Sequence, residues 1–481
     1  MAIDLTKPLA WGQASHEEQR MLRALQGNIL KGHGRPNTVN IFFKMDATKQ
    51  HAMRAALREL ANYHVTSAYQ QLLDTENFKA TGETGGPFVA VFLSAKGYSA
   101  LGVPAAATPN DPSFVAGMKA AAAGLSDPAA ANWEAGFQGQ IDGMVLVASE
   151  DDTALRRERD AVVAVLAAGG AKIAKEQAGH QLFNAENRGI EHFGYVDGRS
   201  QPLLLVEDIE RESRDGGISR WDPQSPLGVA LIAEPGATDG ISFGSYFIFR
   251  KLEQNVRGFK RQEQILADML SLSGEDRELA GALVVGRFED GTPVTLSDEA
   301  RDREPPNDFN YAADPGSRCP FHAHIRKTNP RGSGGAEPPQ VERQHLMPRR
   351  GITYEDVRRT VHPTDIPESS SVADFDAHAG PLLPTGDVGL LFMAYNHDLA
   401  KQFEFTQKTW ANNPNFPVAP VPPGPPGLDP VIGQGPAATH NWPKAWDDAA
   451  QGTVPVQFQG FVKMRGGEYF FAPSLNFLKT L

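Results

Sequence analysis

The sequence has 481 residues, 41% of them hydrophobic and 22% charged, and its formal net charge is −12. That length exceeds what one core usually serves, so two domains or two fused halves are expected, while the acidic balance repels phosphate backbones and argues against a nucleic-acid partner. A lone cysteine, Cys319, excludes an internal disulfide and any multi-cysteine zinc or iron–sulfur centre. No apolar run is long enough to span a membrane, and the first 30 residues hold no apolar stretch of the signal-peptide kind, so a soluble cytoplasmic protein is expected.

Residues 39–60 read as a short apolar strand followed by an amphipathic helix. Residues 88–102 read as a strand that breaks at a small-polar segment and enters a helix. Residues 143–168 form another strand–helix unit, with Asp151 or Asp152 placed to cap the helix. The plan then repeats: 244–266 match 39–60 in pattern, and 388–408 match 88–102. Further strands are expected at 282–288 (ALVVGRF) and 456–463 (VQFQGFVK). The polar, turn-rich stretch ERESRDGGISRWDPQSP marks a boundary near residues 210–240. Long ordered loops are expected at 302–320, 329–342 and 411–443. The last carries the run NNPNFPVAPVPPGPPGLDP and is expected to pack over the surface. Strands alternating with helices twice over suggest two α+β halves, each an antiparallel sheet with helices on one face.

Three segments carry chemistry. Residues 193–202, FGYVDGRSQP, hold an Asp-Gly pair, which by itself marks a turn. Here Gly194 and Gly198 flank Asp197, and small neighbours leave room above a flat ligand. Residues 319–331, CPFHAHIRKTNPR, hold His322 and His324, which share a face if the segment is a strand. Two histidines suggest a metal pair, yet no third ligand stands at zinc-like spacing and HExxH is absent. One imidazole as axial ligand to a haem iron fits the chemistry better. Residues 347–354, MPRRGITY, set Arg349 and Arg350 beside an apolar run and a glycine. Paired arginines are ordinarily solvated, but one in this setting can turn inward as a fixed cation. A peroxidase needs an axial donor, a base that carries a proton from the near oxygen of peroxide to the far one, and a cation for the charge growing there. A His, an Asp and an Arg supply these roles.

Taken in order, G-x-x-D-G, C-P-x-x-A-H-I-R-K-x-N-P-R, R-R-G-x-x-Y and G-L-L-F resemble the dye-decolorizing peroxidases. The likeness takes in LQGNILKGHGR near the start and RGGEYFFAPSLNFL at the end, so it spans nearly the whole chain. It implies two ferredoxin-like halves, antiparallel sheets with helices, in a dimeric α+β barrel-like fold with one haem b between them. The halves would be 1–215, carrying the distal Asp, and 216–481, carrying the proximal His and distal Arg. The resemblance makes His324 the proximal ligand of the haem iron and Asp197 the distal acid–base. It makes Arg349 the distal cation, with Arg350 the one-residue alternative. Leu390 and Phe392 match the walls of a narrow distal pocket, a role compatible with plain core packing. Gly198 would lie beside the cofactor, and Arg326 would partner a haem propionate.

The implied activity is reduction of hydrogen peroxide with one-electron oxidation of aromatic small-molecule reductants such as dyes and phenolics. Bulky donors would act at a haem edge or through Tyr354, Trp410 or Trp446, residues that otherwise simply pack. The competing reading is a haem carrier or iron-release protein, which needs His324 but neither Asp197 nor Arg349.

Overall fold

In the computed structural model, which describes residues 3–301, 304–366, 369–436 and 438–481, nine strands form one antiparallel sheet. Strands β1 (Asn37–Lys44), β2 (Phe88–Leu93), β3 (Gly143–Ser149) and β4 (Lys172–His180) run in the order β4-β1-β3-β2. The sheet continues through β5 (Ile232–Ala233), β6 (Phe243–Gln254), β7 (Ile352–Glu355), β8 (Val388–Asn396) and β9 (Val462–Ala472). Here the order is β9-β6-β8-β7, with β9 beside β2 and the short β5 on β6. Both β2 and β3 are buried along their whole length, which is why they read as unbroken apolar runs rather than alternating ones.

Helices α1 (Gln50–Tyr63) and α2 (Asp152–Ala168) follow β1 and β3 and pack on each other, and α1 buries Met53, Ala56, Leu57, Leu60 and Ala61. Asp151 is the cap of α2: its carboxylate accepts the Ala154 N–H at 2.5 Å. On the other side of the molecule, α3 (Val256–Met269) packs on α4 (Glu278–Val285). The run expected as a strand at 282–288 is thus the end of α4, closed by Gly286 at φ +96°. A short apolar run that is buried all round has no period to separate strand from helix. The strand expected at 456–463 is also corrected. That run straddles two strands: 456–457 end a hairpin strand, Thr453–Gln457, 458–461 are not strand, and 462–463 begin β9. After β8 the chain enters wide π-helical turns over Ala400–Glu404 and Thr406–Ala411.

The sheet is open. Its edges β4 and β7 come together without a ladder, joined by one hydroxyl: Thr353 Oγ1 donates to the His180 carbonyl and accepts the Leu182 N–H at 3.2 Å. The junction of β2 and β9 is nearly as thin, with a single register pair, Leu93 to Phe471. Gln26, 1% exposed, sews it. Its amide donates to the carbonyls of Val91 and Pro473, both at 2.8 Å, and accepts the Val91 N–H at 2.8 Å. Two apolar cores result. One holds both faces of β1–β3 with α1 and α2, and the other holds α3, α4 and the segment around Cys319. Among the described residues no helix is long and apolar enough to cross a membrane.

Replacing Gln26 with Leu strands buried backbone groups on both sides of the junction. The expected cost is about 2–4 kcal/mol, read as a lowered midpoint in denaturant or thermal unfolding, with the cavity residues described next left in place.

Candidate active site

A cavity opens between the two cores. Strand alternation sets its sheet wall: Leu390 and Phe392 on β8 face it, and their partners on β6, Leu252 and Arg250, share that face. Met464 on β9, opposite Leu252, extends the wall. The intervening Leu391 and Met393 belong to the first core. Val462, at the start of β9, also stands on the sheet wall, and Val285, Ile325 and Val431 supply the facing wall from the second core.

His324, Asp197 and Arg349 all line this cavity. His324 opens a five-residue helix, α5 (His324–Thr328), so the segment is not a strand and His322 does not share its face. His322 is buried against Trp442, ring centroids 4.3 Å apart, and does not reach the cavity. Burial holds its pKa well below the ordinary histidine value, which makes it a neutral packing residue.

His324 Nδ1 lies 2.9 Å from a carboxylate oxygen of Asp429, which leaves Nε2 for the cavity. Asp429 is fully buried. Burial alone would raise its pKa, but the charge and hydrogen bond of His324, with the N–H groups of Ile432 and Val431, hold it below the usual range. The same pairing outweighs burial at the imidazole and raises the pKa of His324. A carboxylate on Nδ1 fixes the tautomer and makes Nε2 the better electron donor. Asp429 carries no mark in the sequence beyond a Leu-Asp-Pro at the end of the proline-rich run. That run does more than cover the surface, because it brings this carboxylate behind His324. Lys327 fastens it, its Nζ donating to the carbonyls of Asn413, Phe416 and Gly427 at 2.7, 2.9 and 2.6 Å.

Asp197 sits on a loop wound through two positive-φ glycines, Gly194 at +103° and Gly198 at +77°. A side chain at either position would strain the backbone, so the glycines serve the winding as well as the space. The Asp197 N–H donates to the Gly189 carbonyl at 3.0 Å, and its carboxylate accepts the Gly198 N–H at 2.6 Å. Gly198 itself lines the cavity.

Arg349 pairs through its backbone with Ala394 on β8. Its N–H donates to Gln201 Oε1 at 2.9 Å and its guanidinium to the Ser200 carbonyl at 3.0 Å. Burial lowers its pKa, and the charge of Asp197 acts the other way. Arg350 turns from the cavity and donates to the carbonyls of Asn28 and Ile29 at 2.8 and 3.0 Å.

Arg326, the residue expected beside a propionate, is placed elsewhere. It is wholly buried and does not line the cavity. Its guanidinium donates to the Cys319 and Asp314 carbonyls at 2.6 and 3.0 Å and lies against Phe321 and Tyr311. Two residues along a helix is more than half a turn, so a side chain there points away from that of His324. Of the aromatic residues, Tyr354 and Trp410 are buried, the latter stacked on Phe416. Trp446 is half-buried and donates to the Val294 carbonyl at 2.8 Å.

The donor set suits a haem. One imidazole backed by a carboxylate faces an apolar space, and a porphyrin brings the other iron ligands with it. A bare zinc ion would need two or three more protein ligands.

A family model described as the DyP dimeric alpha+beta barrel domain matches residues 24–180. Over the whole of both chains, the sequence is 48% identical to the multifunctional dye peroxidase DyP2 of Amycolatopsis sp.. It is 31% identical to Peroxidase 2 of Mycetinis scorodonius, covering 95% of this chain and 87% of that one. The solved structure of the Amycolatopsis protein superposes with a TM-score of 0.91 over all of both chains. That of a DyP-type peroxidase from Anabaena sp., 37% identical, gives 0.87 over 99% of this chain and 98% of that one. The chain belongs to the dye-decolorizing peroxidase family. It is a peroxidase, an oxidoreductase of a family that depends on haem, and nothing in these likenesses supports the carrier reading. The α+β fold of antiparallel strands and helices expected for the family is present, in an open sheet rather than a closed barrel.

In the cofactor-free protein, His324 should titrate above the ordinary histidine pKa. Asp429→Asn removes the negative charge that holds the proton on the ring, so the titration should move down. NMR of the imidazole protons reads both, and an unmoved pKa would sink this account of the pair.

Proposed function

We propose that the cavity holds one haem b per chain, whose iron His324 would ligate, and that the enzyme reduces hydrogen peroxide while oxidising aromatic small molecules. The observation that supports this best is convergence: a histidine, an aspartate and an arginine from three separate segments line one cavity whose exposed wall is mostly apolar. When bound, the haem supplies the iron that takes up peroxide and accepts its two oxidising equivalents. Asp197, as carboxylate, accepts the proton of the near peroxide oxygen and returns it to the far oxygen, which leaves as water. Arg349 stabilises the charge that grows on that leaving oxygen. Asp429 keeps the proton on His324 Nδ1 and so keeps the Nε2 lone pair toward the metal.

Leu390 and Phe392 crowd the cavity wall, which favours peroxide over a bulky donor. Such donors then give up electrons one at a time from outside the pocket. We further propose that the chain divides functionally at 215/216, the first half bringing Asp197 and the second His324 and Arg349. The sheet order supports this, since strands of the first half stand together on one side of the β2–β9 junction.

The test is an absorption spectrum of the haem-loaded protein before and after one equivalent of hydrogen peroxide. A Soret band that shifts on peroxide, and is lost or grossly altered in His324→Ala, supports the reading. Asp197→Ala and Arg349→Leu should each keep the band and lower kcat/KM for peroxide by about two orders of magnitude or more. A band indifferent to peroxide would favour the carrier.

A further inference from the structure

One carboxyl group of the cavity has no part in splitting peroxide. Glu191 lines the cavity and precedes Asp197 on the same loop. The loop is wrapped around it. Its own N–H donates to the Tyr195 carbonyl at 3.1 Å, and its carbonyl accepts the Gly194 N–H at 2.9 Å. One carboxylate oxygen accepts the Phe193 N–H at 2.9 Å and the other the Tyr195 N–H at 3.1 Å. From the end of β6, Gln254, 4% exposed, adds its amide N–H. All three donors are neutral, and among the described residues Glu191 makes no ion pair.

Burial outweighs these donors and, with the charge of Asp197, pushes the pKa of Glu191 up to about 7. The other ionisable groups around it are engaged elsewhere. His192 sets Nε2 2.9 Å from the Tyr354 carbonyl. The Tyr195 hydroxyl donates to Glu263 on α3 at 2.5 Å, and beside that ring Lys260 bridges Glu263 and Glu289. Arg349 meets the Ser200 carbonyl at 3.0 Å. Gln254 carries a second mark of a neutral acid. Its Oε1 is buried and has no hydrogen-bond partner among the described residues. Turning the amide over exchanges its oxygen and nitrogen. Gln254 therefore donates to the Glu191 carboxylate in one orientation and accepts an O–H from the carboxyl in the other.

Turning peroxide into two waters takes up two electrons and two protons. The transfer by Asp197 moves a proton within peroxide and consumes none. The electrons arrive singly from an aromatic donor outside the pocket, and the proton that donor loses is released there to solvent. The two protons must therefore enter the cavity by a route of their own. We propose that Glu191 is the proton reserve of the cavity: at each electron-accepting step its O–H bond breaks, the proton passes by way of Asp197 to the peroxide oxygen left behind, and solvent protonates Glu191 again. Two such releases per turnover make the second water, each matched to one electron from the donor. This rests on the peroxide chemistry proposed above, in which Asp197 returns its first proton to the departing oxygen and is again free to accept one.

The test joins infrared spectroscopy to kinetics. In the cofactor-free protein, the C=O band of protonated carboxyl groups should shrink as the pH rises through about 7. Part of that band should be missing from Glu191→Gln, while Glu263 and Glu234, raised to about 7 and 8, give the remainder. In the haem-loaded enzyme at saturating donor, kcat should fall over the same rise in pH while kcat/KM for peroxide holds, because the reserve is filled below its pKa and empty above it. Glu191→Gln should lower kcat by about tenfold or more, remove that pH dependence, and leave kcat/KM for peroxide within about threefold. Equal carboxyl bands in the two proteins overturn the proposal. So does a Glu191→Gln that keeps the wild-type kcat, or one whose kcat and kcat/KM fall together with the pH dependence unchanged, the mark of a merely structural carboxyl. If the variant fails to fold, the wild type decides, and a kcat that does not fall through this range overturns the proposal. A wild type that turns over no peroxide would instead overturn the peroxide reading itself, and this inference with it.

Discussion

A carboxylate with no solvent contact governs the His324 side of the cavity. Asp429 is stable as an anion only because the His324 imidazole and the N–H groups of Val431 and Ile432 converge on it. Those partners come from opposite ends of a long stretch of chain, so the proline-rich loop must close over α5 for the pair to exist. Helical spacing makes the closure possible. His324 and Lys327 are three residues apart and share a side of α5, one meeting the Asp429 carboxylate and the other three carbonyls of the same loop. Arg326, two residues on from His324, is carried to the far side and closes the Asp314–Cys319 loop instead.

Extended backbone does the corresponding work on the Arg349 side. Neighbouring residues on a strand point to opposite faces, and the segment 349–350 runs beside β8 as one. Arg349 therefore enters the cavity while Arg350 reaches back to the loop at Asn28 and Ile29. The same alternation sends Leu390 and Phe392 to the cavity and Leu391 and Met393 to the core. The N-terminal LQGN segment is then a structural motif. Gln26 sews the β2–β9 junction, and Asn28 offers its carbonyl to Arg350.

Charge is apportioned around the cavity with equal economy. Arg250 and Asp127 are matched by two hydrogen bonds of 2.8 and 2.7 Å, both side chains almost wholly buried, and Arg199 is matched to Glu212. Asp197 and Arg349 line the same cavity without a direct ion pair among the described contacts.

The sequence by itself determined the elements whose period is local. The repeated strand–helix units appear where apolar alternation and helical spacing put them, and Asp197, His324 and Arg349 stand in motifs with enough neighbours to be noticed. Short buried runs such as ALVV were not decided locally, since a segment covered on all sides has no polar face to give its period away. The place of Asp429 was decided only by tertiary structure. It lies in a loop with nothing distinctive beside it and meets its partner, His324, 105 residues away. A buried charge is chemically defined by what surrounds it, and that surrounding is assembled by the fold rather than written in neighbouring residues.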